Sequence, residues 1–264
     1  MLAKSKERIM HIAVLFVSII IAAMTKNYFM PNTGDFGRAI GWYLSSDVEG
    51  QYLTLKIGDV SARNFLSGFG YKSSYTLLVY CYTVFLSYFT DVFDLMLLSA
   101  SLKVTYIFSL FFLFSRVMKL NNETPLSQFA VFLVALIPCI SSSNLAFFSS
   151  FYQEQVVLIC LPILLLCLIA DKQRYFLFVV ATVIIISCSK SQFFYFPIII
   201  AIYYWIYGDR NVKKILVMIS IFILACTTII KTNGTVELNK YHATYFGIYQ
   251  LAETNGYELP VAVE

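Results

Sequence analysis

Charged residues are scarce in this chain. They make up 13% of its 264 residues, whereas hydrophobic residues make up 59%, and the mean hydropathy is +0.74. Soluble domains are about one quarter charged, so this composition excludes a soluble globular protein, a disordered chain and a nucleic-acid-binding domain. What remains is a polytopic membrane protein. Its apolar runs are unbroken, unlike the alternating strands of membrane barrels, which predicts an all-α transmembrane helical bundle.

Several catalytic and metal-binding motifs are also missing. The chain has no glycine-rich phosphate loop, no HExxH, no GxSxG and no CxxC, which argues against nucleotide-dependent chemistry and against a zinc site. Nearly all of the six cysteines fall inside apolar runs. They are therefore expected to pack as small apolar residues, without a disulfide framework or a metal site.

Eight apolar runs divide the chain. The first, Ile9–Met24, follows Lys4, Lys6 and Arg8, so its N-terminus is expected in the cytoplasm. A polar segment, 25–74, comes next and is expected to lie outside the membrane as a functional loop. The other runs cover 75–90, 95–115, 127–141, 155–170, 175–189, 193–207 and 215–230.

The positions of the basic residues predict the topology. Three short connections are basic, and the positive-inside rule places them in the cytoplasm: Arg116/Lys119, Lys172/Arg174 and Arg210/Lys213/Lys214. The run 95–115 must therefore begin on the outside. The first helix, with its N-terminus in the cytoplasm, places the polar segment 25–74 on the outside as well. The run 75–90, with four Tyr and three Thr, is therefore predicted to be an interfacial helix on the outer face.

This reasoning predicts about seven spans. The transmembrane bundle would cover 1–230, including an outer loop 25–94, and a polar tail 231–264 would lie outside. The alternative is eight spans, with one connection violating the charge rule. In the seven-span scheme the polar connections between spans lie on the outer face, so the functional site is expected there.

Two carboxylates are candidates for chemistry on the outer face. Asp35 follows the first helix and could serve as a general base or hold a metal ion, although Asn-Thr-Gly-Asp is also ordinary turn chemistry. Glu154 adjoins the apolar run 155–170, and ionisable groups at that depth are usually functional. The alternative for Glu154 is an acid favoured by a helix N-terminus.

Lys190 and Lys103 are the candidate cations of the bundle. Lys190 sits in a short connection near the outer leaflet, where it could bind a phosphate or extend its ammonium to the lipid head groups. Lys103 is placed near the middle of the second span, where its burial requires a partner or a water-filled cavity. In the tail, His242 could titrate near neutral pH or be a plain surface group.

Four short motifs carry a resemblance to a known family. They are Thr-Gly-Asp35-Phe, Phe-Tyr-Gln-Glu154, Ser-Lys190-Ser-Gln192 and Asn239-Lys240-Tyr241-His242. Together with the topology, they resemble outer-face elements of the bacterial integral-membrane GT-C-type glycosyltransferases, such as the O-antigen glucosyltransferases that decorate surface polysaccharide. The resemblance covers residues 1–250. Members are usually longer, so the chain is expected to be a minimal or truncated form.

The resemblance implies a GT-C-like core in the bacterial inner membrane, with its active face periplasmic or extracellular. Such an enzyme moves a sugar from a polyprenyl-phosphate donor to a surface glycan or lipid-linked acceptor, by a single inverting displacement. Asp35 would deprotonate the acceptor hydroxyl, and Glu154 would position the acceptor or a divalent cation. The implied partners are the donor, the acceptor and membrane lipid, without nucleic acid.

The remaining site residues would bind substrate. Lys190, with Arg38 or Lys240, would offset the charge of the leaving phosphate, as cationic clamps do. The other substrate-binding candidates are Gln192, Asn239 and His242.

Two other functions stay open. The chain could be a flippase or transporter for lipid-linked glycans, or a small non-catalytic membrane partner protein. A transporter should carry polar residues through the middle of several spans. Here only Lys103 and scattered Ser, Thr and Tyr do so, which favours chemistry at the outer surface.

Overall fold

A computed structural model describes residues 2–27, 40, 42–46, 53–67, 72–120, 124–170, 173–207, 211–231 and 254. This part of the chain is mostly helical, as expected. Its helices are α1 (Leu2–Met24), α2 (Ala62–Ser67), α3 (Ser74–Ser87), α4 (Leu95–Leu120), α5 (Pro125–Cys139), α6 (Ser142–Phe147), α7 (Gln155–Ala170), α8 (Phe176–Ser187), α9 (Phe196–Ile206) and α10 (Val212–Lys231). Each of the eight apolar runs forms a helix.

Several helices begin at side-chain caps that the sequence supplies. Ser73 and Thr76 form a capping box at the start of α3. Thr124 caps α5 and is followed by Pro125, a residue whose fixed φ suits the first helical position. Ser141 caps α6 in the same way, by accepting from the backbone N–H of Asn144. These caps satisfy N–H groups that have no partner inside the helix.

Contacts between helix ends show that α1 and α4 run antiparallel. The ring of His11, early in α1, lies 5.8 Å from the ring of Phe111, late in α4. At the opposite end, Nζ of Lys103 donates to the carbonyl oxygen of Thr25 at 2.8 Å. The segment between α1 and α4 therefore begins and ends at the same end of the bundle.

The helix α7 runs parallel to α4. The hydroxyls of Ser99, in the second turn of α4, and Ser149, shortly before α7, lie 2.7 Å apart. At the far ends of the same helices, Arg116 and Cys167 line one cavity. Between them in the chain, α5 runs antiparallel to α4, because Phe132 packs on Phe111 at 5.2 Å and Tyr106 donates to the carbonyl of Cys139 at 3.4 Å.

The last three helices, α8, α9 and α10, continue to alternate in direction along the chain. Glu154, before α7, pairs with Lys190, after α8. At the other end, Nζ of Lys214, early in α10, lies 5.6 Å from the ring of Phe176 and 4.9 Å from the ring of Tyr204. We call the end with Glu154 and Lys190 the polar end. The end with Arg116 and Lys214 is the basic end.

The lengths of the helices bear on the expected number of membrane spans. Among the described residues, two helices are long and apolar enough to cross a membrane, Leu95–Met118 and Val212–Ile230. The other apolar helices are shorter than the about 20 residues of a typical span: Arg8–Met24, Ser74–Ser87, Leu126–Cys139, Gln155–Ala170, Gln173–Ser187 and Ser191–Ile206. Length and composition alone therefore support two candidate spans among the described residues, and they do not support the expected number of about seven.

The helix α3 lies at the polar end. The backbone N–H of Ser74 donates to the carbonyl of Cys188 at 3.0 Å, just beyond α8. Its 14 residues extend about 21 Å, less than the about 30 Å of a bilayer core. Near its C-terminus, Phe85, Tyr88 and Phe89 are largely exposed, and Tyr is one of the two residue types enriched at membrane–water interfaces.

A small antiparallel sheet, which the sequence did not indicate, joins two strands of the polar segment to a strand directly before α4. Its strands, in the order β1-β2-β3, are β1 (Leu44–Ser45), β2 (Thr54–Ile57) and β3 (Val92–Asp94). Leu55 pairs with Phe93, and both side chains are buried. The sheet thereby places the start of α4 next to the polar segment.

Candidate functional site

An ion pair between Glu154 and Lys190 is the centre of the candidate site. Glu154 directly precedes α7, and Lys190 lies between α8 and the short 3-10 helix Ser191–Phe193. The sequence predicted that both residues lie on the outer face, and the structure brings their side chains together. The side chains are 29% and 25% exposed, respectively, so the pair lies at the edge of the bundle and not in its interior.

The charges of the pair are only partly satisfied. Oε1 of Glu154 accepts from Nζ of Lys190, whereas Oε2 is buried without a hydrogen-bond partner in the described part of the chain. The carboxylate lies at the N-terminus of α7, where the helix dipole favours negative charge. The described residues therefore leave the acceptor capacity of Oε2 unused, and a carboxylate that binds a hydroxyl needs such an oxygen once it is exposed.

Gln192, the third described site residue, does not join this pair. It lies two residues beyond Lys190 in the 3-10 helix, and its side chain is exposed. It is placed at the polar end, where a substrate could reach it.

A buried hydrogen-bond network beside the ion pair was missed by sequence reasoning. Nε2 of Gln155 donates to the hydroxyl of Tyr75 at 2.6 Å and lies near the carbonyls of Ser150 and Tyr152, at 3.1 and 2.9 Å. It connects α3, α7 and the connection before α7. One signal could have revealed it: a glutamine that begins an otherwise apolar run.

An apolar cavity of about 260 Å³ opens between α3, α4 and α7. Gln155 and Tyr75 lie on its wall, together with Tyr82, Leu98, Leu102 and Cys160. Burial, together with the charge of Asp94, raises the pKa of Tyr82 above its ordinary value. The neutral phenol is thereby favoured, and the wall of the cavity stays uncharged.

Lys103 has a partner, as its burial requires. It is the ninth residue of α4, about 12 Å from the start of the helix. Its side chain is fully buried. Its ammonium donates a hydrogen bond to the carbonyl oxygen of Thr25, at the C-terminal end of α1, and not to a described carboxylate.

The other site residues fall outside the described part of the chain: Asp35, Arg38, Asn239, Lys240 and His242. No group of three or more His, Cys, Asp or Glu side chains that could hold a metal ion occurs among the residues that the structure describes. A divalent cation at Glu154 therefore stays a prediction from the resemblance.

Comparison with known proteins finds one informative relative. The chain is 38% identical over 258 residues to YfdI of Escherichia coli (strain K12), a protein described as uncharacterized. The match covers 95% of the chain, and the chain spans 57% of the length of the relative. No protein family model matches the chain, and no solved structure matches it. The chain is thus similar along nearly its whole length to the larger part of YfdI.

Proposed function

We propose that this chain forms the membrane-embedded part of a glycosyltransferase. The enzyme would move a sugar from a polyprenyl-phosphate donor to a surface glycan or lipid-linked acceptor at the outer face of a bacterial inner membrane. The observation that supports this most is the Glu154–Lys190 ion pair. It lies at the polar end, where the chain also leaves α1 toward Asp35.

The proposed topology has seven crossings. The helices α1, α4, α5, α7, α8, α9 and α10 alternate in direction, and α3 adds no crossing because it lies at the polar end. The shorter helices would cross with their flanking residues in the interface and with local thinning of the bilayer. The basic residues of the basic end, such as Arg116 and Lys214, agree with a cytoplasmic location of that end.

Exposed apolar side chains support a lipid environment. Along α10, these include Leu216, Ile219, Ile223, Leu224 and Ile230. A continuous apolar surface of this kind marks a membrane or protein contact. Pro138 and Pro162 lie inside α5 and α7, and prolines are more frequent in membrane helices than in soluble ones.

The reaction would be a single displacement. The acceptor oxygen attacks the anomeric carbon, the bond from that carbon to the phosphate oxygen breaks, and the acceptor proton passes to Asp35. Polyprenyl phosphate leaves with the bonding electrons. Lys190 would exchange Glu154 for the phosphate when the donor binds, and the released carboxylate would accept a hydrogen bond from the acceptor. Positioning and charge stabilisation would provide most of the catalysis.

An assay on the full chain in lipid nanodiscs tests this proposal. Polyprenyl-phosphate glucose, labelled in the sugar, serves as the donor probe, and lipid-linked O-antigen serves as the acceptor. We expect Asp35→Asn to abolish transfer, while the control Asp91→Asn, at an exposed acid of the polar end, leaves it unchanged. Retention of much or all of the transfer in Asp35→Asn would contradict the proposal. So would a chain that transfers no sugar before any substitution, which is the result expected of a transporter or a docking protein.

A further inference from the structure

Lys103 is a fully buried cation in an apolar helix, and the chemistry proposed above does not use it. Its relative exposure is 0%. Ionisable residues at such depth are rare and usually functional, because their burial is unfavourable unless a partner compensates the charge. A structural explanation of Lys103 therefore has to identify what its ammonium holds.

The partner of Lys103 is the end of another helix. Nζ donates to the carbonyl oxygen of Thr25 at 2.8 Å. The backbone N–H of Thr25 in turn donates to the carbonyl of Ile21, at 3.0 Å, so Thr25 continues the hydrogen bonding of α1. A cation at this position faces the negative end of the α1 dipole and satisfies a carbonyl that has no partner inside the helix.

The described polar groups beside Lys103 are uncharged. Ser99 lies one turn earlier on the same face of α4, and its hydroxyl contacts that of Ser149. Both serines are buried. Among the described residues, no carboxylate forms an ion pair with Lys103. The ammonium is thus held by dipoles, and the carbonyl at the end of α1 is its direct acceptor.

We propose that Lys103 is a positioning residue that anchors the C-terminal end of α1 to α4. The anchor determines the position of Thr25, and Asp35 follows ten residues later in the sequence. Complete burial excludes direct contact of Lys103 with a substrate, so its role is to act through the position of α1. The catalytic consequence rests on the function proposed above, whereas the anchoring itself does not.

Electron paramagnetic resonance tests the anchor directly. Spin labels at Asn27→Cys and Ser101→Cys, both at exposed positions, would report the distance between the end of α1 and α4 on a background without native cysteines. We expect a narrow distance distribution with Lys103, a broad one in Lys103→Met, and a narrow one again in Lys103→Arg. An unchanged distribution in Lys103→Met would overturn the anchor. If that variant does not fold, the milder Lys103→Gln replaces it, with partial broadening expected.

Transfer kinetics test the catalytic consequence. Misplacement of a reacting group by about 1 Å can lower rates about 10²-fold, so we expect Lys103→Met to reduce kcat by about this factor with little change in KM. Lys103→Arg should rescue kcat, because it keeps the cation. The control Lys56→Met removes an exposed lysine of β2 and should have no effect.

The two measurements separate failure of the anchor from failure of the proposed function. Loss of kcat with unchanged spin-label distances would refute positioning, as would broadened distances with full kcat. A chain without transfer activity before any substitution would refute the proposed function, and the distance distribution would still decide whether Lys103 anchors α1.

Discussion

Glu154 and Lys190 form an ion pair across 36 residues of sequence. The pair joins the beginning of α7 to the connection that follows α8, so that two polar connections at the same end of the bundle become one surface. Because both side chains are more than 70% buried, the interaction is less screened than a pair in open solvent.

A double-mutant cycle should detect coupling between Glu154 and Lys190. Glu154→Gln and Lys190→Gln should each lower the free energy of unfolding, and the double variant should lose less than the sum of the two. Partly exposed pairs contribute about 0.5–1 kcal/mol, which we expect as the coupling energy, measured by denaturant unfolding in micelles. The cycle of Glu154→Gln with Lys213→Gln, at the basic end, should be additive. Additivity in the first cycle as well would contradict a stabilising ion pair.

Exchange of the two charges should separate stability from activity. The reversed pair, Glu154→Lys with Lys190→Glu, keeps the attraction between the connections but moves the carboxylate away from the N-terminus of α7. We expect most of the stability to return, while transfer remains at least about 10²-fold below that of the unsubstituted chain. Full recovery of transfer in the reversed pair would show that the pair has only a structural role.

The Gln155–Tyr75 hydrogen bond should stabilise the attachment of α3. Tyr75→Phe removes one acceptor of a buried amide and is expected to lower the free energy of unfolding by about 1 kcal/mol. Gln155→Leu removes the amide that donates to three acceptors, and it should lower the free energy of unfolding by about 2–3 kcal/mol. Tyr207→Phe, at an exposed tyrosine, is the matched control. Equal thermal stability of Tyr75→Phe and the control would show that the bond contributes nothing.

Hydrophobic runs made the helices predictable, because a segment such as 155–170 has no polar residue after Gln155 around which a loop could form. The run and the helix α7 share the same bounds. The sheet was not predictable, since β1 has two residues and β2 has four, too few for a periodic pattern to show. Their pairing depends on burial of Leu55 and Phe93, which only the tertiary structure creates.

The candidate site was predictable in part. The positions of Glu154 and Lys190 beside apolar runs predicted that each lies at the end of a helix, and the charge distribution predicted that both lie at the same end of the bundle. Sequence reasoning could not show that the two side chains touch, because contact depends on how α7 and α8 pack. The partner of Lys103 was hidden for another reason: it is a backbone carbonyl, which has no sequence signature.

Tyr82 should make stability depend on pH above pH 10. Its pKa is raised in the folded state by burial and by Asp94, so the unfolded chain loses the phenolic proton first as pH rises. The corresponding stabilisation is present below the ordinary pKa, about 10, and is lost as pH rises through the folded value. Tyr82→Phe should therefore show a smaller fall in Tm between pH 10 and 11, whereas Tyr88→Phe, at an exposed tyrosine, should behave like the unsubstituted chain. Identical profiles for the two variants would exclude this linkage.

Chemical labelling in intact cells should place the polar and basic ends on opposite sides of the membrane. Single cysteines would replace Asp91 and Gln192 at the polar end, and Arg174 and Lys213 at the basic end, all of which have exposed side chains. With the native cysteines removed, an impermeant maleimide should label the first two from outside and the last two only after permeabilisation. Because Asp91 follows α3, its labelling distinguishes seven crossings from eight. If positions 91 and 192 lay on opposite sides, α3 and the ion pair could not belong to one outer surface, and the proposed transferase would lose its site.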